Sequence, residues 1–203
     1  MNRSSITLLT AGFFVRDPRK VARSLLGKLL IRKTARGMLV GRIVETEAYL
    51  GADDAAAHSA AGKTARNAVL WGPPGHAYVY FIYGNHYCLN VSCLPDGAPG
   101  GVLFRAVEPL EGIEEMAAAR GVEIRSAGDL KRISSGPGRM CEALAVTRDR
   151  DNGKNLVSST SDLQIAEDGC RVKRVLVTPR VGITKSADQP LRYLIAGNSF
   201  VSR

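Results

Sequence analysis

The first hydrophobic pattern along the chain has the spacing of an α-helix. Asp17-Pro18 is a typical helix start, because aspartate can cap free amides and proline is tolerated in the first turn. Apolar residues then recur at helical spacing, with basic residues between them, at Val21, Leu25, Leu26, Leu29 and Leu30. The pattern predicts an amphipathic, basic helix that continues to about residue 30.

After this segment the spacing changes to the two-residue period of β-strands. Residues 38–50 predict one strand, or two halves of a strand around Gly41. Residues 101–107 predict another strand. The intervening residues 51–77 are rich in glycine, alanine and proline, and we expect them to form loops.

A β-hairpin is predicted near the middle of the chain. The aromatic run YVYFIY at 78–83 and the run YCLNVSCL at 87–94 flank Gly84-Asn85. This dipeptide is typical of a tight turn between antiparallel strands. We therefore expect the two strands to pair, with the turn at the tip.

The second half of the sequence predicts two helices separated by loops. One helix is expected over Glu108–Arg120, with Pro109 in its first turn. A second helix is expected over about 139–146, directly after the tight loop SSGPG at 134–138. The polar residues 147–168 are expected to be irregular.

The last third of the chain predicts a strand pair over residues 171–183, followed by the segment PLRYLIAGNSFVS, which closes the fold. No repeat, low-complexity segment or linker is visible. We therefore expect one α+β domain over residues 1–203. Its curved, mostly antiparallel sheet is flanked by helices, and the hairpin protrudes from it.

One strand carries two carboxylates on the same face. In GRIVETEAYL, side chains alternate between faces, which places Glu45, Glu47 and Tyr49 together with Ile43. Two interpretations are open. The face could point to solvent with both glutamates paired to arginines, or a carboxylate beside an aromatic ring could hold a water or stabilise a cation during glycosidic-bond hydrolysis.

The net charge favours a polyanionic partner. The formal net charge is +9, and both ends of the chain are basic while the middle is acidic. Nucleic acid is the first candidate for the partner, although a basic chain can also be basic only for solubility. No apolar run reaches 18 residues, so we expect no membrane span, and we interpret the N-terminus as mature protein.

The cysteines and histidines predict neither disulfides nor a metal site. The four cysteines show no C-x-x-C spacing, and we expect buried free thiols in a reducing compartment: Cys88, Cys93, Cys141 and Cys170. The three histidines lack metal-ligand spacing.

The hairpin places unusual residues at its tip and in its return strand. Tyr83 directly precedes the turn, a position poorly suited to core packing and well suited to a wedge that fills the gap left by an extruded base. Asn90 is a polar residue between Leu89 and Val91. Ordinary strand packing for the tyrosines, and a hydrogen bond to a nearby loop for Asn90, are the alternatives.

Several segments in order carry a family resemblance over about residues 10–200. They are RIVETEAYLGADDAAAHS, TARN, YVYFIYGNHYCLN, VLFRAVEPLEG, LKRISSGPGRMCEALAV, and RVGI followed by PLRYLIAGN. Together they resemble the alkyladenine (3-methyladenine) DNA glycosylase family. The combination of ETEAY with a tyrosine-rich hairpin is specific to this resemblance.

The resemblance implies a catalytic pair and a base pocket. Glu47 would activate the water that attacks the sugar carbon, and Arg105 would help to position Glu47. Tyr49 and Tyr80 would be opposite aromatic walls, and His58 the second pocket residue. The resemblance also implies that Asn90 disfavours the 2-amino group of normal guanine.

The resemblance further implies how the chain would hold DNA. Tyr83 would insert into the minor groove, next to Asn85, where some members have an apolar residue. A loop leading into a helix N-terminus would hold a phosphate near the lesion, through Ser135, Gly136, Pro137, Gly138 and Arg139.

The implied activity is the flipping of alkylated or deaminated purines out of double-stranded DNA and hydrolysis of their N-glycosidic bond. No lysine lies in the pocket motifs, so we expect a monofunctional hydrolase without metal or cofactor. Glu45 is assigned to a structural ion pair. We expect a monomer in the bacterial cytoplasm, associated with the nucleoid, and no membrane partner.

Two other functions compete with this one. The first is a non-catalytic nucleic-acid-binding domain, against which the joint presence of Glu47, Tyr49, Tyr80 and Tyr83 argues. The second is a carbohydrate-directed hydrolase that uses Glu45 and Glu47, roughly 7 Å apart as i and i+2 on a strand. The single tryptophan, Trp71, leaves little for sugar stacking.

Overall fold

The computed structural model describes residues 6–202. The helices are α1 Ala11–Phe14, α2 Pro18–Leu25, α3 Ile113–Ala119, α4 Ala127–Ser134, α5 Pro137–Ala143 and α6 Arg148–Asp151, with a short 3-10 helix at Ala68–Trp71. The strands are β1 Thr7–Leu8, β2 Leu29–Thr34, β3 Gly37–Tyr49, β4 Ala77–Ile82, β5 His86–Ser92, β6 Gly101–Glu111, β7 Leu163–Glu167, β8 Val175–Thr178 and β9 Arg192–Ile195.

All of these strands belong to one antiparallel sheet. The main path runs β1-β7-β2-β3-β6-β5-β4, while β9 pairs with both β3 and β8. The expected α+β domain with a curved, mostly antiparallel sheet is confirmed. The long strand β3 is central, since it pairs with β2, β6 and β9.

Irregular register in β3 separates its apolar part from its polar part. The pairing with β6 shifts between Val40 and Gly41 and again on both sides of Glu45. At Gly41 a Cβ would lie 2.6 Å from a methyl group of Val107, so only glycine fits there. Because bulges re-aim side chains, Ile43 packs in the apolar core instead of beside the glutamates.

The apolar core lies between the sheet and its helices. It includes Phe14, Val21, Leu25, Phe104 and Met140, each without exposed surface. Helix α2 packs on β3 and β6, while α5 packs on β5 and β6. Strands β3, β5 and β6 are therefore backed by helices.

The first predicted helix is too long. Helix α2 starts with the expected cap, since Asp17 accepts the amide of Arg19, but it ends at Leu25. Gly27 then adopts a φ of 84°, which ends the helical path. Leu29 and Leu30 lie in β2, where both faces are buried and an apolar run imitates helical spacing.

The helix predicted over Glu108–Arg120 is also wrong in its first part. Strand β6 continues through Pro109 to Glu111, opposite β3, and α3 starts only after Gly112, which has a φ of 72°. Proline here lies opposite Gly41, at the register shift where the ladder is already interrupted.

The segments expected to be irregular contain regular elements. Helix α6 and strand β7 both lie within residues 147–168.

Three other elements differ from the sequence prediction. Helix α4 was not predicted, and it starts with a capping box of Ser126 and Asp129. Helix α5 begins at Pro137, two residues before the predicted start. Strand β8 pairs with β9 rather than with a strand inside 171–183.

Within residues 6–202, no helix combines the length and the apolar character needed to cross a membrane.

Candidate active site

A cavity of about 450 Å³ opens between the end of β3, the hairpin and the loop before the 3-10 helix. Aromatic and polar residues line it, and we call it the aromatic cavity; among its lining residues are Tyr49, His58, Tyr78, Tyr80, Asn90 and Arg105. Five of these six were singled out from the sequence. Residues from Tyr49 to Arg105, far apart in the chain, therefore meet at one place.

Glu47 lies directly behind the wall of this cavity. Its carboxylate has no exposed surface and accepts hydrogen bonds from the hydroxyl of Tyr49 at 3.1 Å and the amide of Val181 at 2.8 Å. Nη1 of Arg105 lies 3.1 Å from Oε1. All three donors belong to residues that line the cavity, which places the carboxylate next to it.

Tyr49 remains a donor to this carboxylate at ordinary pH. Burial of its ring and the nearby charge of Glu47 raise the pKa of the phenol. The hydroxyl therefore keeps its proton and donates it to Glu47, which orients the carboxylate.

Glu45 has a different environment from Glu47. Its Oε1 accepts from Nε of Arg105 at 2.9 Å, Nε of Arg192 at 2.6 Å and the hydroxyl of Ser202 at 2.9 Å, while Oε2 accepts the Ser202 amide at 2.6 Å. Glu45 has no exposed surface. The expected ion pair is thus present, and the solvent-facing interpretation of this strand is wrong.

Three aromatic rings form one side of the aromatic cavity. The His58 and Tyr80 rings meet edge to face, with centroids 4.5 Å apart, and Tyr78 lies 5.6 Å from Tyr80. Nδ1 of His58 and the hydroxyl of Tyr78 are 2.8 Å apart and share a hydrogen bond. Burial raises the pKa of the Tyr78 hydroxyl, so this group keeps its proton.

His58 is uncharged in this setting. Burial, and then the positive charge of Arg66, lower the pKa of its ring. The Asn67 side chain holds the loop by donating to the His58 carbonyl at 2.8 Å and the Gly62 carbonyl at 2.9 Å. A neutral histidine leaves the cavity able to accept a cationic ring without charge repulsion from His58.

Asn90 lies on the wall formed by β5. It is 5% exposed and its Nδ2 donates to the carbonyl of Tyr78 at 3.3 Å, across the β4–β5 pair. The hydrogen bond holds the amide in place while it lines the cavity. Its position is therefore suited to discriminate between ring substituents.

The hairpin tip presents an aromatic side chain to solvent. Tyr83 is 78% exposed and has a φ of 54°, and Gly84 follows with a φ of 72°. Two consecutive positive φ values are typical of a type I′ hairpin turn, and they are unfavourable for tyrosine. Asn85 is also exposed. The tip therefore keeps an exposed tyrosine ring, on a backbone of unfavourable φ, beside the mouth of the cavity.

A second, basic groove of about 560 Å³ adjoins the aromatic cavity. The predicted loop residues Ser135, Gly136, Pro137 and Arg139 line it, and Arg105 and Pro137 line both spaces. Gly138 does not line the groove. A Cβ at this position would lie 2.9 Å from the His86 ring, so Gly138 packs the loop against the hairpin.

The groove also contains cations that were not predicted. Lys131 and Arg132 of α4 line it together with exposed Arg139. The Ser135 hydroxyl is already bonded to the carbonyl of Phe200 at 2.6 Å, so it fixes the loop rather than offering a free donor. Positive charge next to the cavity is what an anionic chain would contact.

Two comparisons with known proteins bear on this geometry. Residues 12–199 match the family described as "Methylpurine-DNA glycosylase (MPG)". The chain belongs to the methylpurine-DNA glycosylase family. It is therefore a hydrolase that removes alkylated bases from DNA, and the non-catalytic and carbohydrate-directed alternatives are wrong.

Relatives of similar length support the membership. A protein from Koribacter versatilis is 67% identical, over 100% of this chain and 98% of the relative. One from Burkholderia cenocepacia is 46% identical over 97% and 91%, and one from Methanocella arvoryzae is 45% identical over 91% and 89%. Each bears the name "Putative 3-methyladenine DNA glycosylase".

The site also contains residues that the sequence patterns did not indicate. Val181 and Tyr78 line the cavity, and Asp54 and Arg180 form a buried ion pair next to it. The motif RVGI is one of the segments that carry the resemblance, but the resemblance implied no role for any of its residues. Its contact with Glu47 crosses 134 positions, which local patterns do not reveal.

The thiols mostly follow the expectation. Cys88, Cys93 and Cys141 are buried and free, whereas Cys170 is exposed, against prediction, in the connection between β7 and β8. Residues 6–202 contain no group of three or more histidine, cysteine, aspartate or glutamate side chains that could hold a metal ion.

Proposed function

We propose that this enzyme flips alkylated and deaminated purines out of duplex DNA into the aromatic cavity and hydrolyses their N-glycosidic bond. Its substrates would be of the 3-methyladenine, 7-methylguanine, hypoxanthine and ethenoadenine class. The observation that carries the proposal is the position of Glu47. Its carboxylate has three polar partners and lies immediately behind the aromatic walls of the cavity.

Glu47 acts as the base in the proposed reaction. It takes a proton from a water molecule, whose oxygen bonds to C1′ of the sugar as the bond from C1′ to the purine nitrogen breaks. The departing purine takes the electron pair of that bond. The carboxylate also stabilises the oxocarbenium character of the sugar, as in other glycosidic cleavages.

Arg105 orients Glu47 in this reaction. It is held by Glu45 on one side and contacts Glu47 on the other, so its position is fixed before DNA binds. Groups fixed in advance lower the reorganisation needed in the transition state. No lysine is among the described residues that line the cavity, and the product is an abasic site rather than a cut strand.

Aromatic walls select the base. Alkylated purines such as 3-methyladenine are cationic and stack well against Tyr49 and Tyr80, with cation–π contributions of about 0.5–2 kcal/mol. They also leave readily without an acid, whereas neutral hypoxanthine needs help at the leaving group. Asn90 excludes guanine by crowding its 2-amino group.

The exposed hairpin and the basic groove hold the DNA. Tyr83 inserts into the minor groove and fills the space of the flipped nucleotide, with Asn85 beside it. The loop from Ser135 to Arg139 holds the backbone near the lesion. A single glycosylase domain over residues 1–203 acts as a monomer on the DNA of the bacterial nucleoid, in the cytoplasm.

The proposal is tested with duplex oligonucleotides that each carry one lesion. The released base is measured by chromatography, and the strand is analysed before and after alkali. We expect free base from each of the four lesions, strand cleavage only after alkali, and no release from undamaged DNA. Cleavage without alkali would contradict the monofunctional mechanism, and release of a pyrimidine lesion instead would contradict the substrate class.

A further inference from the structure

Asp54 and Arg180 form an ion pair that is buried beside the aromatic cavity. Arg180 donates from Nη1 to Oδ2 of Asp54 at 2.6 Å and from Nη2 to Oδ1 at 2.8 Å. Neither side chain has exposed surface. The planar fork of arginine matches a carboxylate in this paired geometry, which lysine cannot reproduce.

The pair fixes the end of β3. Nη1 of Arg180 also donates to the carbonyl of Ala48 at 3.1 Å, and the guanidinium lies 4.7 Å from the centroid of the Tyr49 ring. Oδ2 of Asp54 accepts the amide of Leu50 at 3.1 Å. Three consecutive residues are therefore held from two directions, and the middle one is the wall of the cavity.

The pair also reaches the segments on either side of the cavity. Oδ1 of Asp54 accepts the amide of Ala56 at 3.1 Å and so shapes the turn that leads to His58. Arg180 directly precedes Val181, whose amide is one of the donors to Glu47.

A buried ion pair gives these segments little stability compared with apolar packing. Apolar residues of similar volume are often at least as stable as a buried ion pair. Nε of Arg180 is moreover buried without a hydrogen-bond partner among the described residues. Unlike apolar packing, the pair makes directional hydrogen bonds, and each of these fixes the angle between the groups as well as their distance.

We propose that Asp54 and Arg180 are positioning residues for base excision, which set the Tyr49 ring and hold the Val181 amide on Glu47. Neither residue lines the aromatic cavity. This inference rests on the glycosylase mechanism proposed above. Displacements of about 1 Å at a catalytic group can cost 100-fold in rate, so loosening this pair slows the chemical step.

The experiment compares Arg180→Lys with a matched control, Arg32→Lys. Arg32 forms a second fully buried pair, with Asp151 at 2.7 Å, and lines neither the aromatic cavity nor the basic groove. Both substitutions keep the positive charge but remove the planar guanidinium group that bonds to the carboxylate. The melting temperature of each variant and its single-turnover rate of hypoxanthine release at saturating enzyme are measured.

We expect both variants to lose melting temperature. Only Arg180→Lys should lose at least about tenfold in rate, while Arg32→Lys stays within about twofold of the parent. Equal rates in the two variants, with the parent active, would overturn the positioning role and leave the glycosylase mechanism intact. If Arg180→Lys does not fold, Asp54→Asn is compared with Asp151→Asn in the same way.

A second readout does not depend on activity. In protein labelled with ¹⁵N-valine, the Val181 amide proton should move upfield in Asp54→Asn as its bond to Glu47 lengthens, and stay in place in Asp151→Asn. An unchanged resonance in Asp54→Asn overturns the proposal even if the parent releases no base. Absence of base release with a shifted resonance would instead contradict the proposed function.

Discussion

Nε of Arg105 lies 2.9 Å from Oε1 of Glu45, and both side chains are almost entirely inaccessible to solvent. The other arm of the same guanidinium reaches Glu47. In the mechanism proposed above, a basic protein thus keeps two glutamates on one strand because Glu45 anchors the arginine that orients Glu47. The two carboxylates are neighbours on a strand but have separate tasks.

Removing the charge of Glu45 tests this division. Glu45→Gln leaves two arginines, Arg105 and Arg192, without their shared partner, and breaking a buried pair costs about 3–5 kcal/mol of unfolding free energy. We expect the excision rate of the folded variant to fall about tenfold, since Arg105 loses an anchor. Urea unfolding and single-turnover assays measure the two effects.

The control for this substitution is Glu123→Gln. Glu123 pairs with Arg125 in an exposed position where solvent screens the charges, so neither stability nor rate should change measurably. A Glu45→Gln variant as stable and as active as Glu123→Gln would refute the anchoring role.

Tyr83 should matter for duplex opening rather than for folding. Asparagine tolerates its positive φ well, so Tyr83→Asn should keep or slightly raise stability. Excision from duplex DNA should fall at least tenfold, by loss of the wedge, while excision from single-stranded DNA changes little. Equal losses on both substrates would argue that Tyr83 serves the cavity instead.

Asn90 should control the discrimination against guanine. Asn90→Ser shortens the side chain in the cavity wall, so release of undamaged guanine should become measurable and release of hypoxanthine should change less. The measurement is the ratio of the guanine release rate to the hypoxanthine release rate, which should be higher in Asn90→Ser than in the parent. An unchanged ratio would mean that another part of the cavity excludes the 2-amino group.

His58 makes stability depend on pH in a defined direction. Its pKa is lowered in the folded protein, so between that value and the ordinary value near 6.5 the unfolded chain binds more protons. Stability should therefore fall as pH drops through this window and be unaffected by His58 above it. Denaturant unfolding at pH 5.0 and 7.5 should show a smaller difference in His58→Gln than in the parent, and an equal difference would contradict this origin.

Local patterns predicted the bounds of several strands. Strand β3 and the β4–β5 hairpin were confirmed within about two residues, because alternation and a turn dipeptide are local signals. The errors fall where tertiary pairing overrides a local pattern. Leu29 and Leu30 imitate a helix but are buried on both faces of the sheet, and β6 passes through a proline at a register shift.

The candidate site divides in the same way. The resemblance supplied the residues of the aromatic cavity, and the structure brings them together. It gave no reason to select Asp54 and Arg180, which lie 126 positions apart and show their relationship only in three dimensions. Alternation also placed Ile43 beside the glutamates, since a bulge leaves no mark in the residue pattern.

The most direct test of the central claim is base release by Glu47→Gln. Duplexes with a single hypoxanthine or 3-methyladenine are incubated with the parent and with the variant, and binding of each lesion duplex is measured in parallel. We predict release by the parent, binding by both, and at least a 100-fold slower single-turnover release by the variant. Release by Glu47→Gln at the parental rate would contradict the assignment of Glu47 as the residue that activates water.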